Sequence, residues 1–296
     1  MEVVDSVPIA ERTRRRITRR LIPFLFLLYI VAYLDRVNLS YAGLEMTKEL
    51  GFSDKVFGLG SGIFFIGYVL LEIPGTLLVE LWSARKWISR IMITWGVFAA
   101  LTGTIHTKQE FYWARFMLGV AEAGFFPGVI VYIAHWFRKE DRGRATAMFT
   151  AAIPLSQVLG SPISGYLMKI HWWGYSGWRW LLVLEGLPAV ILGVVTLYYL
   201  TDRPEDAKWL PNDERNWLAG ELEREKRSFG PRRKHDVWKA FARTDVILLT
   251  IVYFMSTNFN YGLQFWLPKM LQKLSGYSSF TVTMLSAIPF LAACRQ

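Results

Sequence analysis

Long apolar runs alternate with short polar joints along most of this chain. Eight runs can be drawn, over residues 21–44, 56–79, 87–105, 111–136, 145–170, 178–200, 246–271 and 280–294. Roughly 20 apolar residues suffice for a helix to cross a bilayer, and each of the first seven runs reaches that length. In lipid an isolated segment must satisfy its own backbone hydrogen bonds, which a helix does. Transmembrane strands would instead alternate in blocks near ten residues, a pattern these runs lack. The expected fold class is therefore an all-α polytopic membrane protein.

Between residues 201 and 244 the apolar pattern stops. Asp202-Arg-Pro-Glu-Asp reads as a turn and cap. Residues 212–227 read as a charged amphipathic helix, with Glu four residues before Arg or Lys several times. Gly230-Pro-Arg-Arg-Lys-His is a basic break that could touch anionic lipid. The expected organisation is a basic cytoplasmic N-terminus over 1–20, a six-helix bundle over 21–200, a cytoplasmic linker over 201–244, and the start of a second bundle over 245–296. That second unit holds helix seven and part of helix eight, so the chain reads as truncated within its eighth helix.

Charge fixes an expected orientation. The chain has 34 Lys and Arg against 24 Asp and Glu, a net of +10. The positive charges fall between the runs. Arg12, Arg14, Arg15, Arg16, Arg19 and Arg20 precede the first run, Arg85, Lys86 and Arg90 follow the second, and Arg138, Lys139, Arg142 and Arg144 follow the fourth. The other joints hold only scattered cations. Positive residues mark cytoplasmic loops, so the N-terminus is expected inside a plasma (inner) membrane. The first run is too long, and too interrupted by Asp35-Arg36, for a cleaved signal peptide. An RNA-binding arm is the rival reading of the arginines, but no nucleic-acid partner is expected. Cys294 is the single cysteine, and His106, His135, His171 and His235 fall in separate regions, so no metal or other cofactor is expected. The expected state is a monomer in the lipid bilayer.

Two polar clusters interrupt the runs. The first is Tyr33-Leu-Asp35-Arg36-Val-Asn38; the second runs from Arg115 through Gly119 to Glu122. Ionisable groups at membrane depth cost several kcal/mol unless they pair or face water, and by default they mark function. Arg115 and Glu122 are seven residues apart and share a helix face. Asp35 paired with Arg115, and Arg36 with Glu122, is one economical arrangement. Protonating one carboxylate would leave the site positive and ready for an anion. The alternative is a pair of salt bridges that only fix packing, which buried pairs do poorly. Glu72 and Glu185 read as interface or paired residues.

With these residues in view, the chain resembles the major facilitator superfamily. The stretch Thr76-Leu-Leu-Val-Glu80-Leu-Trp-Ser83-Ala-Arg85-Lys86 is similar to that superfamily's joint between helices two and three, with Thr76 and Ser83 in place of glycines and Glu80 in place of Asp. Arg115-x-x-x-Gly119 and Gly160-Ser-Pro162-x-x-Gly165 resemble its fourth- and fifth-helix motifs. Tyr-Leu-Asp-Arg-Val-Asn and Gly-Val-Ala-Glu-Ala-Gly-Phe-Phe-Pro-Gly resemble the anion:cation symporter family, which includes tartrate, hexuronate, hexonate and phthalate permeases. The resemblance implies inverted three-helix repeats with a substrate site between two six-helix halves. It implies that Arg36 binds the substrate carboxylate, with Tyr33, Asn38, Tyr68 and Gln157 as hydrogen-bonding candidates and Asn258, Asn260 and Gln264 as contributors from helix seven. Asp35 and Glu122 would take up protons and Arg115 would tune them. Glu80, Arg85 and Lys86 would form a cytoplasmic latch. The expected function is proton-coupled import of a small organic anion, a sugar acid or hydroxy-dicarboxylate such as tartrate, by alternating access. A passive anion facilitator or channel, or a non-functional fragment of such a transporter, is the alternative. No nucleophile–base set lies in the runs, so no enzyme is expected.

Overall fold

A computed structural model of the chain describes residues 8–228 and 243–293. The basic break at 230–235 lies outside them. Every regular element among the described residues is helical. α1 runs Ile9–Glu49, and at 41 residues it is about 60 Å long, roughly twice the hydrocarbon thickness. The arginine-rich stretch is thus one continuous helix with the first apolar run. It begins behind Pro8, and Pro23 sits within it.

Gly51, at φ +65°, turns the chain into α2, Asp54–Leu81, whose first turn is capped by Ser53. The joint expected over 76–86 is mostly helix. Leu77-Leu78-Val79 continue the apolar run, and only Trp82 and Ser83 separate α2 from α3, Ala84–Thr102. A capping box at Thr107 and Glu110 starts α4, Lys108–Glu122. The fourth run is not one helix. Gly124 takes φ +81°, a left-handed conformation cheap only for glycine, and α5 restarts over Phe125–Trp136. The fifth run begins earlier than its hydropathy suggests, as the charged α6, Lys139–Thr150. It resumes past Ala151 as α7, Ala152–Leu167. α8 (Gly177–Tyr199), α9 (Asn212–Ser228) and α10 (Thr244–Ser275) follow. The eighth run divides into α11, Ser279–Leu285, and α12, Ile288–Ala293.

Among the described residues, five stretches are by length and composition apolar enough to cross a membrane: Ile9–Glu49, Asp54–Val79, Lys108–Trp136, Gly177–Tyr199 and Thr244–Ser275. α3 falls short because Arg85, Lys86 and Arg90 occupy its first turns, and the α6–α7 pair because of its charged first half and its break.

Close crossings position these helices. At the α2–α4 crossing, a Cβ on Gly119 would run into the Phe64 carbonyl. Where α3 meets α8, a Cβ on Gly96 would come 2.6 Å from the Gly186 carbonyl. Small residues let helix backbones approach this closely in lipid. α1 packs against α6, α7, α8 and α10. Its apolar side chains join two buried clusters, one around Trp95, Trp136 and Phe149 and one around Tyr41, Phe57 and Trp178. Ion pairs close both ends. At the basic end, Arg12 reaches Asp213 (2.5 Å) and Glu214 (3.1 Å), and Arg142 reaches Glu225 (2.8 Å), which ties α9 to α1 and α6. At the opposite end, Lys269 and Lys273 of α10 hold Asp54 of α2 at 2.5 and 2.7 Å.

Candidate functional site

The middle of α1 presents adjacent residues about 100° apart, and Asp35 and Arg36 consequently enter different surroundings. Arg36 faces α2, α4 and α10. Its Nη2 pairs with Glu122, and its Nη1 donates to the Tyr261 hydroxyl at 2.9 Å. The guanidinium lies 5.6 Å from the Tyr33 ring centroid and 5.7 Å from that of Tyr68. Only 12% of the Arg36 side chain and 2% of the Glu122 side chain are exposed. Glu122 is the last residue of α4, just before the Gly124 break. A largely buried guanidinium is thus held by one carboxylate and a ring of tyrosines. Arg forks bind carboxylates bidentately, so a second carboxylate could exchange with Glu122 at this point.

Asp35 faces α3 instead. Its Oδ2 accepts from the Trp95 indole at 2.7 Å, and its Oδ1 from the Asn38 amide at 3.1 Å. Buried Arg115 makes no ion pair within 4.0 Å among the described residues. Its guanidinium lies 4.8 Å over the Phe64 ring, and its Nε and Nη2 have no hydrogen-bond partner. Of the two pairings drawn from spacing, Arg36 with Glu122 is therefore in contact and Asp35 with Arg115 is not. Trp95 and Asn38 already fill both oxygens of Asp35. Glu185, expected at an interface or in a pair, is buried in α8 without an ion pair among the described residues. It accepts from Ser164 at 3.1 Å, and its other oxygen has no partner.

The remaining candidates separate. Tyr33 and Tyr68 border Arg36, whereas Asn38 is committed to Asp35. Gln157 is half-buried on α7 and makes no hydrogen bond among the described residues. Asn258 and Asn260 are exposed and donate to carbonyls of their own helix, at 2.8 Å each. Gln264 is buried, with its Nε2 unpartnered. The side chain of Glu80 lies outside the described residues. Arg85 meets Asp202: its backbone N–H donates to Oδ1 at 2.9 Å, while Ser83 donates to Oδ2 at 2.8 Å. Lys86 lies 5.8 Å from the Trp82 ring. Sequence reasoning missed Tyr261, Trp95 and Asp202. A mid-run indole was the available signal for Trp95, since a buried Trp N–H usually finds an acceptor.

The family model of the Major Facilitator Superfamily matches residues 25–295. A candidate tartrate transporter of Agrobacterium vitis is 50% identical over 283 residues, covering 95% of this chain and 65% of its own length. A quinolone resistance transporter of Acinetobacter baumannii is 39% identical, covering 94% of this chain and 64% of its own. Among solved structures, a bacterial homologue of the human lysosomal transporter Spinster superposes with a TM-score of 0.77 at 17% identity, over 98% of this chain and 61% of that one. The chain thus spans a little under two thirds of the length of the relatives it matches.

Proposed function

The chain belongs to the Major Facilitator Superfamily, and on that premise we propose that it carries a small organic anion across a membrane by proton symport and alternating access. The observation that carries this reading is Arg36, a largely buried guanidinium whose one contacting carboxylate among the described residues is Glu122. An incoming substrate carboxylate competes with Glu122 for the same fork. Protonation of Glu122 removes its charge, frees Arg36 and favours the substrate, so proton and anion enter together. Tyr33, Tyr68 and Tyr261 border the substrate and donate to its oxygens. Asp35, held by Trp95 and Asn38, is the second proton carrier, and Arg115 biases it through space.

The substrate class follows from the site and from the relative named as a tartrate transporter: a hydroxy-dicarboxylate or sugar acid, as carried by the anion:cation symporter family. The substrate lies where the six-helix unit over 21–200 meets the second unit that starts at 245. Gln157 and Gln264 contribute to it after rearrangement. Arg85, with Asp202, and Lys86 hold the basic end closed against its neighbours. The N-terminus and the 201–244 segment lie on the cytoplasmic side of an inner membrane, and the working unit is a monomer.

Uptake of labelled tartrate and galactonate into proteoliposomes tests the anchor. Arg36→Ala should lower uptake about 100-fold, in line with the roughly 3 kcal/mol lost when one member of a buried charge pair is truncated. Monodisperse elution in detergent controls for folding. Uptake at the native rate in that variant would remove Arg36 from the mechanism. Downhill flux indifferent to a protonophore in the native protein would favour a passive facilitator.

A further inference from the structure

A cavity of about 520 Å³ opens at the basic end, between the first turns of α1 and the chain just after α8. Five arginines line it: Arg12, Arg15, Arg16, Arg19 and Arg20. Tyr199 and Trp209 form its aromatic wall. The acids nearby among the described residues are fewer than the arginines. Glu214 accepts from Arg12 and Arg16 at 3.1 and 3.4 Å, Asp213 takes Arg12, and Glu11 takes Arg15. Arg19 and Arg20 have no ion-pair partner among the described residues. Among the described residues, these five guanidiniums meet three carboxylates. Arg20 is fixed all the same: its guanidinium sits 4.9 Å from the Tyr199 ring centroid and 4.8 Å from that of Trp209. Its Nε is buried with no acceptor, an arrangement that costs free energy until an acceptor arrives.

The position narrows the ligand. Arg20 directly precedes Leu21, where the apolar part of α1 begins, and Tyr199 is the last residue of α8. The cavity therefore lies at headgroup level, where Tyr and Trp belts collect. Arginine forks match phosphate geometry. We propose that this cavity binds the phosphate group of an anionic ligand, supplied by a phospholipid headgroup or by a soluble phosphate ester. Arg19 and Arg20 supply the unneutralised charge, and the aromatic wall keeps Arg20 in place. Occupancy would clamp α1, the end of α8 and the Trp209 loop together.

The test is native mass spectrometry of the purified protein, titrated separately with phosphatidylglycerol, phosphatidylcholine and glycerol 3-phosphate. The native chain should retain phosphatidylglycerol in preference to zwitterionic phosphatidylcholine. The double variant Arg19→Gln/Arg20→Gln should retain it roughly thirty-fold more weakly, given the usual contribution of a basic residue near an anionic surface. The single variant Arg19→Gln, at an exposed position, should weaken retention roughly fivefold on the same basis, and it serves if the double variant does not fold. Resistance of the lipid adduct to millimolar glycerol 3-phosphate assigns the site to a lipid. Displacement by that ester, with equal sensitivity to the variants, assigns it to a soluble phosphate. Equal retention of both lipids, or retention unchanged in the variants, would overturn the site.

Discussion

At Trp95 an indole N–H enters the middle of the bundle and meets Asp35 at 2.7 Å. That contact keeps a buried carboxylate satisfied where Arg115 does not reach it. Trp95→Phe keeps most of the packing volume and deletes the donor. Leaving a buried acceptor unpaired typically costs about 1–3 kcal/mol, so the variant should melt several degrees lower in detergent. An unchanged melting temperature would mean that Asp35 does not depend on the indole. The sequence made Asp35, Arg36, Arg115 and Glu122 legible because ionisable residues stand out in apolar runs. It did not make their partners legible. Aromatic residues form 16% of the chain, so neither Trp95 nor Tyr261 stands out, and which oxygen each reaches depends on how α3 and α10 cross α1. The partner of Glu185 was not legible either, since spacing along α8 does not tell which neighbour a buried carboxylate meets.

Hydropathy located the helices better than it located their breaks. A run such as 111–136 is apolar throughout, and nothing in its composition registers that Gly124 adopts φ +81°. The start of α6 was hidden differently, because its first half is charged and belongs to the polar joint by composition. Close crossings were only half legible. A glycine at 119 marks a place where a neighbour can come close, but nothing in the sequence says that this neighbour is the Phe64 carbonyl. The contrast between two glycines tests the crossing. Gly119→Ala should destabilise the protein, as overpacking commonly does by about 1–3 kcal/mol. Gly62→Ala meets nothing within 4 Å and should be neutral or gain up to about 1 kcal/mol of helix propensity. Thermal unfolding of both variants decides it. Equal tolerance would mean that α2 and α4 can separate without cost.

On the scale of the whole molecule, the all-helical class and the superfamily were both readable, from run length and from motifs on α1 and α4. The proposed orientation rests on the basic residues, and two cysteines check it. In a Cys294→Ser background, Ser228→Cys at the basic end should react with an impermeant maleimide only once the inner membrane is opened. Ser275→Cys, at the opposite end, should react in intact spheroplasts. The reverse pattern would invert the topology. The proposed transport cycle rests on one exchange, in which Glu122 and the substrate take turns on Arg36. Its most direct measurement sets Glu122→Gln in proteoliposomes and compares two fluxes of the same labelled anion. The account predicts that counterflow persists, because Arg36 still binds the anion, while accumulation driven by an inward proton gradient disappears. Accumulation that still follows the proton gradient in this variant would contradict it.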